Sequence, residues 1–137
     1  MKKAKPARPL RTGYVFWLVR NGKEVMLRRR AEKGLLGGLM ELPSTDWLEA
    51  GITLAHAKRL APAKASWRLL PGLVRHGFTH FELELKILAG RFEETAGRSG
   101  AAYEGQAPRW CRLDRLSDHA LPTVMKKVIE HAFANGG

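Results

Sequence analysis

Apolar and polar positions along this chain switch between a strand-like and a helix-like period. Residues 13–20 (GYVFWLVR) form a run of aromatic and β-branched side chains, which predicts a buried strand. Asn21-Gly22 follows and predicts a type I′ turn, since both residue types tolerate positive φ. Residues 24–30 (EVMLRRR) then return as a second strand, so the first third of the chain reads as a β-hairpin. Residues 33–38 (KGLLGG) form a glycine-rich loop, and 39–43 (LMELP) a short extended piece ended by proline. Residues 44–51 read as a loop or a helical turn. In 53–60, Leu54, Ala57 and Leu60 recur on one side of a helix that Pro62 stops.

Residues 67–70 read as extended, and Pro71-Gly72 as a turn. Residues 73–80 and 81–91 predict two strands joined near Phe78-Thr79-His80. In the second, Leu83, Leu85, Ile87 and Ala89 alternate with Glu82, Glu84 and Lys86 until Leu88 interrupts the pattern. Residues 93–108 are polar and glycine-rich, the composition of a mobile loop, and 109–113 form a last short strand. Pro122 fits the first turn of a helix. Val124, Met125, Val128, Ile129, Ala132 and Phe133 supply its apolar stripe, and Gly136 its stop. The element order predicts a single α+β or mixed α/β domain without internal repeats.

Charge changes the picture. The formal net charge is +11 over 137 residues. Most of it is carried by residues 1–33, which suits a nucleic-acid partner, although basic composition alone also describes a solvated surface. Residues 1–10 contain Pro6 and Pro9 and little apolar bulk, so they read as a basic linker or arm ahead of a domain spanning 11–137. A lone cysteine, Cys111, rules out an internal disulfide or a cysteine-ligated cluster and reads as a small core residue in a reducing compartment. No apolar run reaches the ~20 residues of a membrane span, and the basic start lacks the apolar core of a secretory signal.

Three segments carry a family resemblance. The first is Arg28-Arg29-Arg30-x-x-Lys33-Gly34-Leu35-Leu36-Gly37-Gly38-Leu39-Met40-Glu41-Leu42-Pro43. The second is Val74-Arg75-His76-x-Phe78-Thr79-His80-Phe81. The third is Trp110-x-x-Leu113 followed by Ala120-Leu121-Pro122-Thr123-x-Met125-x-Lys127. In this order they resemble the C-terminal domains of MutY-type adenine DNA glycosylases. The resemblance implies a Nudix-like α/β/α sandwich with a mixed, largely antiparallel sheet. It also implies recognition of 8-oxoguanine opposite adenine in double-stranded DNA. A separate N-terminal helical domain would remove the adenine and hold any iron–sulfur cluster, so no cofactor or metal is expected in this chain. Met1 followed by the linker-like residues 2–9 fits a chain cut between two such domains. The expected setting is the bacterial cytoplasm at the nucleoid, and the expected state is a monomer.

Within that resemblance, Phe78, Thr79 and His80 are the expected lesion-reading residues. Oxidation at C8 turns guanine N7 from an acceptor into an N–H donor, and a hydroxyl oxygen can accept from it. Thr79 keeps the hydroxyl where the family often has Ser. Phe78 offers an apolar face to the bases, and His80 can hold the turn or touch a phosphate. Arg28, Arg29, Arg30 and Lys33 are expected at phosphates, with Arg11, Arg75 and His76 nearby. Successive strand residues alternate faces, so the three arginines cannot all point one way.

The rival reading is a metal-dependent Nudix pyrophosphohydrolase. That chemistry needs an Arg-Glu-x-x-Glu-Glu-x-Gly run on a helix, whose carboxylates converge on a divalent cation. Here Glu41 is followed by LPSTDWLEAGITL, and only Glu49-x-Gly51 echoes the run. Glu41 is therefore expected to be a structural, hydrogen-bonding carboxylate. A third reading is a protein-interaction module. Gly34 to Gly38 lack the Gly-Lys-Ser/Thr ending of a phosphate loop and read as a close backbone approach. His56, His119 and His131 show no ligand spacing. Trp17, Trp47, Trp67 and Trp110 read as core aromatics, with Trp47 and Trp67 also able to stack on bases.

Overall fold

A computed structural model of the chain describes residues 8–92 and 108–137. The apolar run near the start forms β1 (Leu10–Arg20). Asn21 and Gly22 take φ values of 54° and 65°, the positive pair a type I′ turn requires. β2 (Glu24–Arg29) returns antiparallel, with Val19 opposite Val25. β3 (Met40–Glu41) pairs with the C-terminal end of β2. α1 (Leu54–Arg59) starts at Thr53, whose hydroxyl accepts from the His56 N–H at 3.1 Å. β4 (Arg68–Leu69), β5 (Val74–Gly77), β6 (Glu82–Arg91) and β7 (Arg109–Arg112) follow. A 3-10 helix (Leu113–Asp118) leads to α2 (Thr123–Ala134).

The strands form one open mixed sheet in the order β3-β2-β1-β6-β4, with β7 also along β2 and β5 along β6. β1 and β6 run parallel, from Leu10 beside Glu82 to Val19 beside Arg91. The other strand pairs are antiparallel. On one face Val15, Trp17, Leu83, Leu85 and Ile87 pack against Val124, Met125, Val128 and Ala132 of α2. On the other, Tyr14, Phe16 and Leu88 pack against Ala57 and Ala61. β1 is covered on both sides, which is why it reads as an unbroken apolar run instead of an alternating one. The same cause explains Leu88: the distal half of β6 is buried on both faces.

Four details depart from the expectations. The sheet starts at Leu10, inside the segment assigned to the arm, because the Glu82 N–H donates to the Pro9 carbonyl at 2.8 Å and draws this backbone into the ladder. Residues 44–48 are extended against β1, with Ser44 bridging Val15 and Leu48 bridging Thr12. Pro122 is the N-cap of α2 and not its first turn. The 3-10 helix was not foreseen, since Leu116 is its one buried residue and gives no periodic signal. The loop expected over 93–108 lies, apart from Pro108, outside the described residues, as do residues 1–7 of the arm.

Candidate nucleic-acid interface

β5 and β6 form a hairpin whose last backbone contact is the Phe78 N–H donating to the Phe81 carbonyl at 2.8 Å. Thr79 and His80 are therefore the two apex residues, and both are exposed. Among the described residues the Thr79 hydroxyl has no hydrogen-bond partner. The apex rests on an aromatic base. The Phe78 ring stacks on Phe81 at 4.8 Å and on Trp47 at 5.9 Å, with interplanar angles of 28° and 29°. His76 meets Phe78 edge-on at 4.8 Å.

Cations close both ends of this row. The Arg11 guanidinium lies 4.1 Å over Phe81, and that of Arg30 lies 4.7 Å over Trp47. Arg8 donates to the Phe78 carbonyl and pairs with Glu82, which ties the end of the arm to the hairpin. Half-buried His76 feels the charges of both Lys127 and Glu82. Burial first, then the Lys127 charge, lowers its pKa below the ordinary 6.5, while Glu82 opposes the shift.

The arginine run is held from within. Arg28 Nε donates to Glu41 Oε2 at 2.9 Å, and Arg30 Nη1 to Oε1 at 2.7 Å. Arg28 also donates to the Ser44 carbonyl at 2.9 Å, and Arg30 to the Leu35 carbonyl at 3.1 Å. Arg29 points to the other side and donates to the Gly38 carbonyl at 2.7 Å. All three arginines thus have internal acceptors, because a carboxylate that is 2% exposed and a folded glycine loop both need donors. Lys33 is exposed, and Arg75 is exposed while pairing with Glu84 at 3.1 Å.

The structure thus brings Phe78, Thr79, His80, His76 and Arg11 into one region, with Arg75 on the strand leading to it. Two further residues belong there: Glu82, which sequence reasoning did not assign, and Trp47, which it read as a core aromatic also able to stack on bases. Trp47 had no spacing signal. The sole hint was Gly13, placed within an otherwise bulky strand. A Cβ at Gly13 would come within 2.9 Å of Trp47 Cδ1, so the missing side chain is the seat of the indole. Gly37 shows the close approach expected of its loop: a Cβ there would lie 2.1 Å from the Glu32 carbonyl oxygen. An open groove lined by Asn21, Lys23, Glu24, Arg112, Leu113 and Asp114 shares no residue with the hairpin apex.

The residues present do not fit the divalent metal that Nudix hydrolysis requires. α1 carries no acidic residue in its first turn, and both oxygens of Glu41 are engaged by arginines. Among the described residues no three His, Cys, Asp or Glu side chains come together.

A family model described as NUDIX domain matches residues 14–131. Human adenine DNA glycosylase is 31% identical over 121 residues, covering 78% of this chain, which spans 20% of that protein's length. The C-terminal domain of mouse MUTYH, solved in complex with human PCNA, superposes with a TM-score of 0.62 at 21% identity, covering 90% of this chain and 88% of that one. MutT protein from Methanosarcina mazei Go1 gives a TM-score of 0.69 at 19% identity, covering 93% and 95%. The last two similarities establish the fold alone. The chain belongs to the NUDIX domain family, and it is similar to the Nudix-like C-terminal domain of MutY-type adenine DNA glycosylases.

Proposed function

We propose that this chain is the lesion-reading domain of an adenine DNA glycosylase and has no catalytic centre of its own. It binds duplex DNA and meets 8-oxoguanine opposite adenine at the β5–β6 apex, while a separate N-terminal helical domain removes the extruded adenine. The observation that carries the reading is the Thr79 hydroxyl, exposed at the apex without a partner among the described residues. Below it lie stacked rings with a guanidinium at each end.

The chemistry follows from one proton. The oxidised base offers N7–H where guanine offers a lone pair. Thr79 Oγ1 accepts from the former and meets an acceptor in the latter, a difference of about 1–3 kcal/mol. A hydroxyl can rotate to donate, which keeps the preference modest. Arg11 and Arg75 beside the hairpin, and exposed Lys33 in the glycine-rich loop, supply sequence-independent phosphate contacts.

The test is Thr79→Ala in the glycosylase carrying this domain, with adenine removal measured opposite 8-oxoguanine and opposite guanine. The ratio of the two rates is expected to fall by about fivefold or more. Thr79→Ser should keep it. An unchanged ratio in Thr79→Ala removes Thr79 from its role. The mouse domain solved with PCNA supports a second reading, protein docking. Titration of this chain with PCNA at high salt separates the two, since phosphate contacts are lost there.

A further inference from the structure

Trp47 belongs neither to the apex nor to the arginine set, yet it touches both. Its backbone is clamped to β1 on either side. The Thr45 N–H donates to the Tyr14 carbonyl at 2.9 Å, and Thr12 and Leu48 exchange N–H and carbonyl at 2.9 and 3.0 Å. Its ring lies across the gap left by Gly13. The guanidinium over one part of the indole, Arg30, is fixed by Glu41 and the Leu35 carbonyl. The ring it stacks on, Phe78, immediately precedes Thr79.

The geometry points to Trp47 as a positioning residue for Thr79. It is a flat wall, anchored to the centre of the sheet, that sets where Phe78 lies and so where the next residue presents its hydroxyl. This rests on the function proposed for the apex. Trp47 Nε1 is buried with no acceptor among the described residues, so the N–H brings no compensating bond. What the site uses is the ring face, which Phe can supply and Leu cannot.

Three variants test this beside the wild type: Trp47→Leu, Trp47→Phe and Thr79→Ala. In this chain, the backbone amides of Phe78, Thr79 and His80 are followed by NMR relaxation, with α2 amides as the reference. In the glycosylase that carries the domain, the ratio of adenine removal opposite 8-oxoguanine and guanine is measured. Trp47→Leu should loosen the apex amides while leaving α2 unchanged, and lower the ratio by about threefold to tenfold. Trp47→Phe should restore both.

An apex unmoved by Trp47→Leu overturns the inference. So does a loosened apex with an unchanged ratio, if Thr79→Ala lowers that ratio; the proposed function then stands without Trp47. If Thr79→Ala also leaves the ratio unchanged, the proposed function falls and the inference with it. Should Trp47→Leu not fold, Gly13→Ala presses on the same ring at 2.9 Å, and on Thr45 Oγ1 and the Asp46 carbonyl at 3.1 and 3.2 Å, and is read in the same way with the α2 amides unchanged.

Discussion

Arg28 Nε and Glu41 Oε2 meet at 2.9 Å across β2 and β3, around a carboxylate that is 2% exposed. Arg30 occupies the other oxygen at 2.7 Å. Such an arrangement does little for stability against an apolar replacement of the whole cluster, but it is costly to break from one side. Glu41→Ala leaves two guanidiniums facing one another without their counter-ion and should destabilise the fold by about 3 kcal/mol. Urea unfolding measures this, and a loss below about 1 kcal/mol would place the carboxylate among ordinary surface pairs.

The exposed cations and the internally paired ones should separate by experiment. Lys33 and Arg75 are exposed, whereas Arg28 serves Glu41. Lys33→Ala and Arg75→Ala are expected to weaken binding to duplex DNA of any sequence, each reducing the slope of log K against log salt by about 0.9. Arg28→Ala should instead lower the melting temperature. Fluorescence anisotropy at several salt concentrations and a thermal melt distinguish these outcomes, and equal slopes for all variants would contradict the assignment.

His76 makes stability depend on pH. Its folded pKa is lowered below the ordinary 6.5 by burial and by Lys127, against Glu82. The unfolded chain therefore takes up a proton before the folded one does as pH falls. Stability is fully present above about 6.5 and declines below it, until the folded form also protonates. Melting temperatures measured between about pH 7.5 and 5 should show this decline. His76→Gln should flatten it, and an equal slope in the variant would assign the effect elsewhere.

Two glycines should respond differently to the same methyl group. At Gly37 a Cβ would lie 2.1 Å from the Glu32 carbonyl oxygen, so Gly37→Ala forces backbone apart and should cost about 1–3 kcal/mol. At Gly22 nothing lies within 4 Å, and the penalty is only that of φ +65°, about 1 kcal/mol. Chemical denaturation of both variants ranks them, and a Gly22 variant that is the weaker of the two would reverse the argument.

Cys111 should be slow to react. Burial pushes its thiol pKa up, and Asp118, Asp114 and Glu24 push it further. Iodoacetamide at neutral pH should modify the native protein far more slowly than the protein in denaturant. Equal rates would mean the β7 region opens freely.

Local chemistry made much of this readable in advance. Asn21-Gly22 announced the hairpin, the alternation in β6 its buried face, and the stripe from Val124 to Ala132 the helix that covers it. Phe78-Thr79-His80 was legible as a hairpin end. The unread features all depend on residues far apart in the chain. Arg28 and Arg30 read as phosphate-facing charge, and their pairing becomes visible only when the fold brings a buried carboxylate between them. Trp47 looks like any core aromatic until Gly13 is seen beneath it.

The parallel pairing of β1 with β6 has a consequence for how the chain is made. β1 opens the described structure, yet its neighbour on one side is complete only at Arg91. During synthesis β1 must wait, with Phe16, Trp17 and Leu18 lacking that neighbour, until residues 82–91 have left the ribosome. Fragments that stop short of Glu82 should therefore clump instead of folding into a smaller version of the protein.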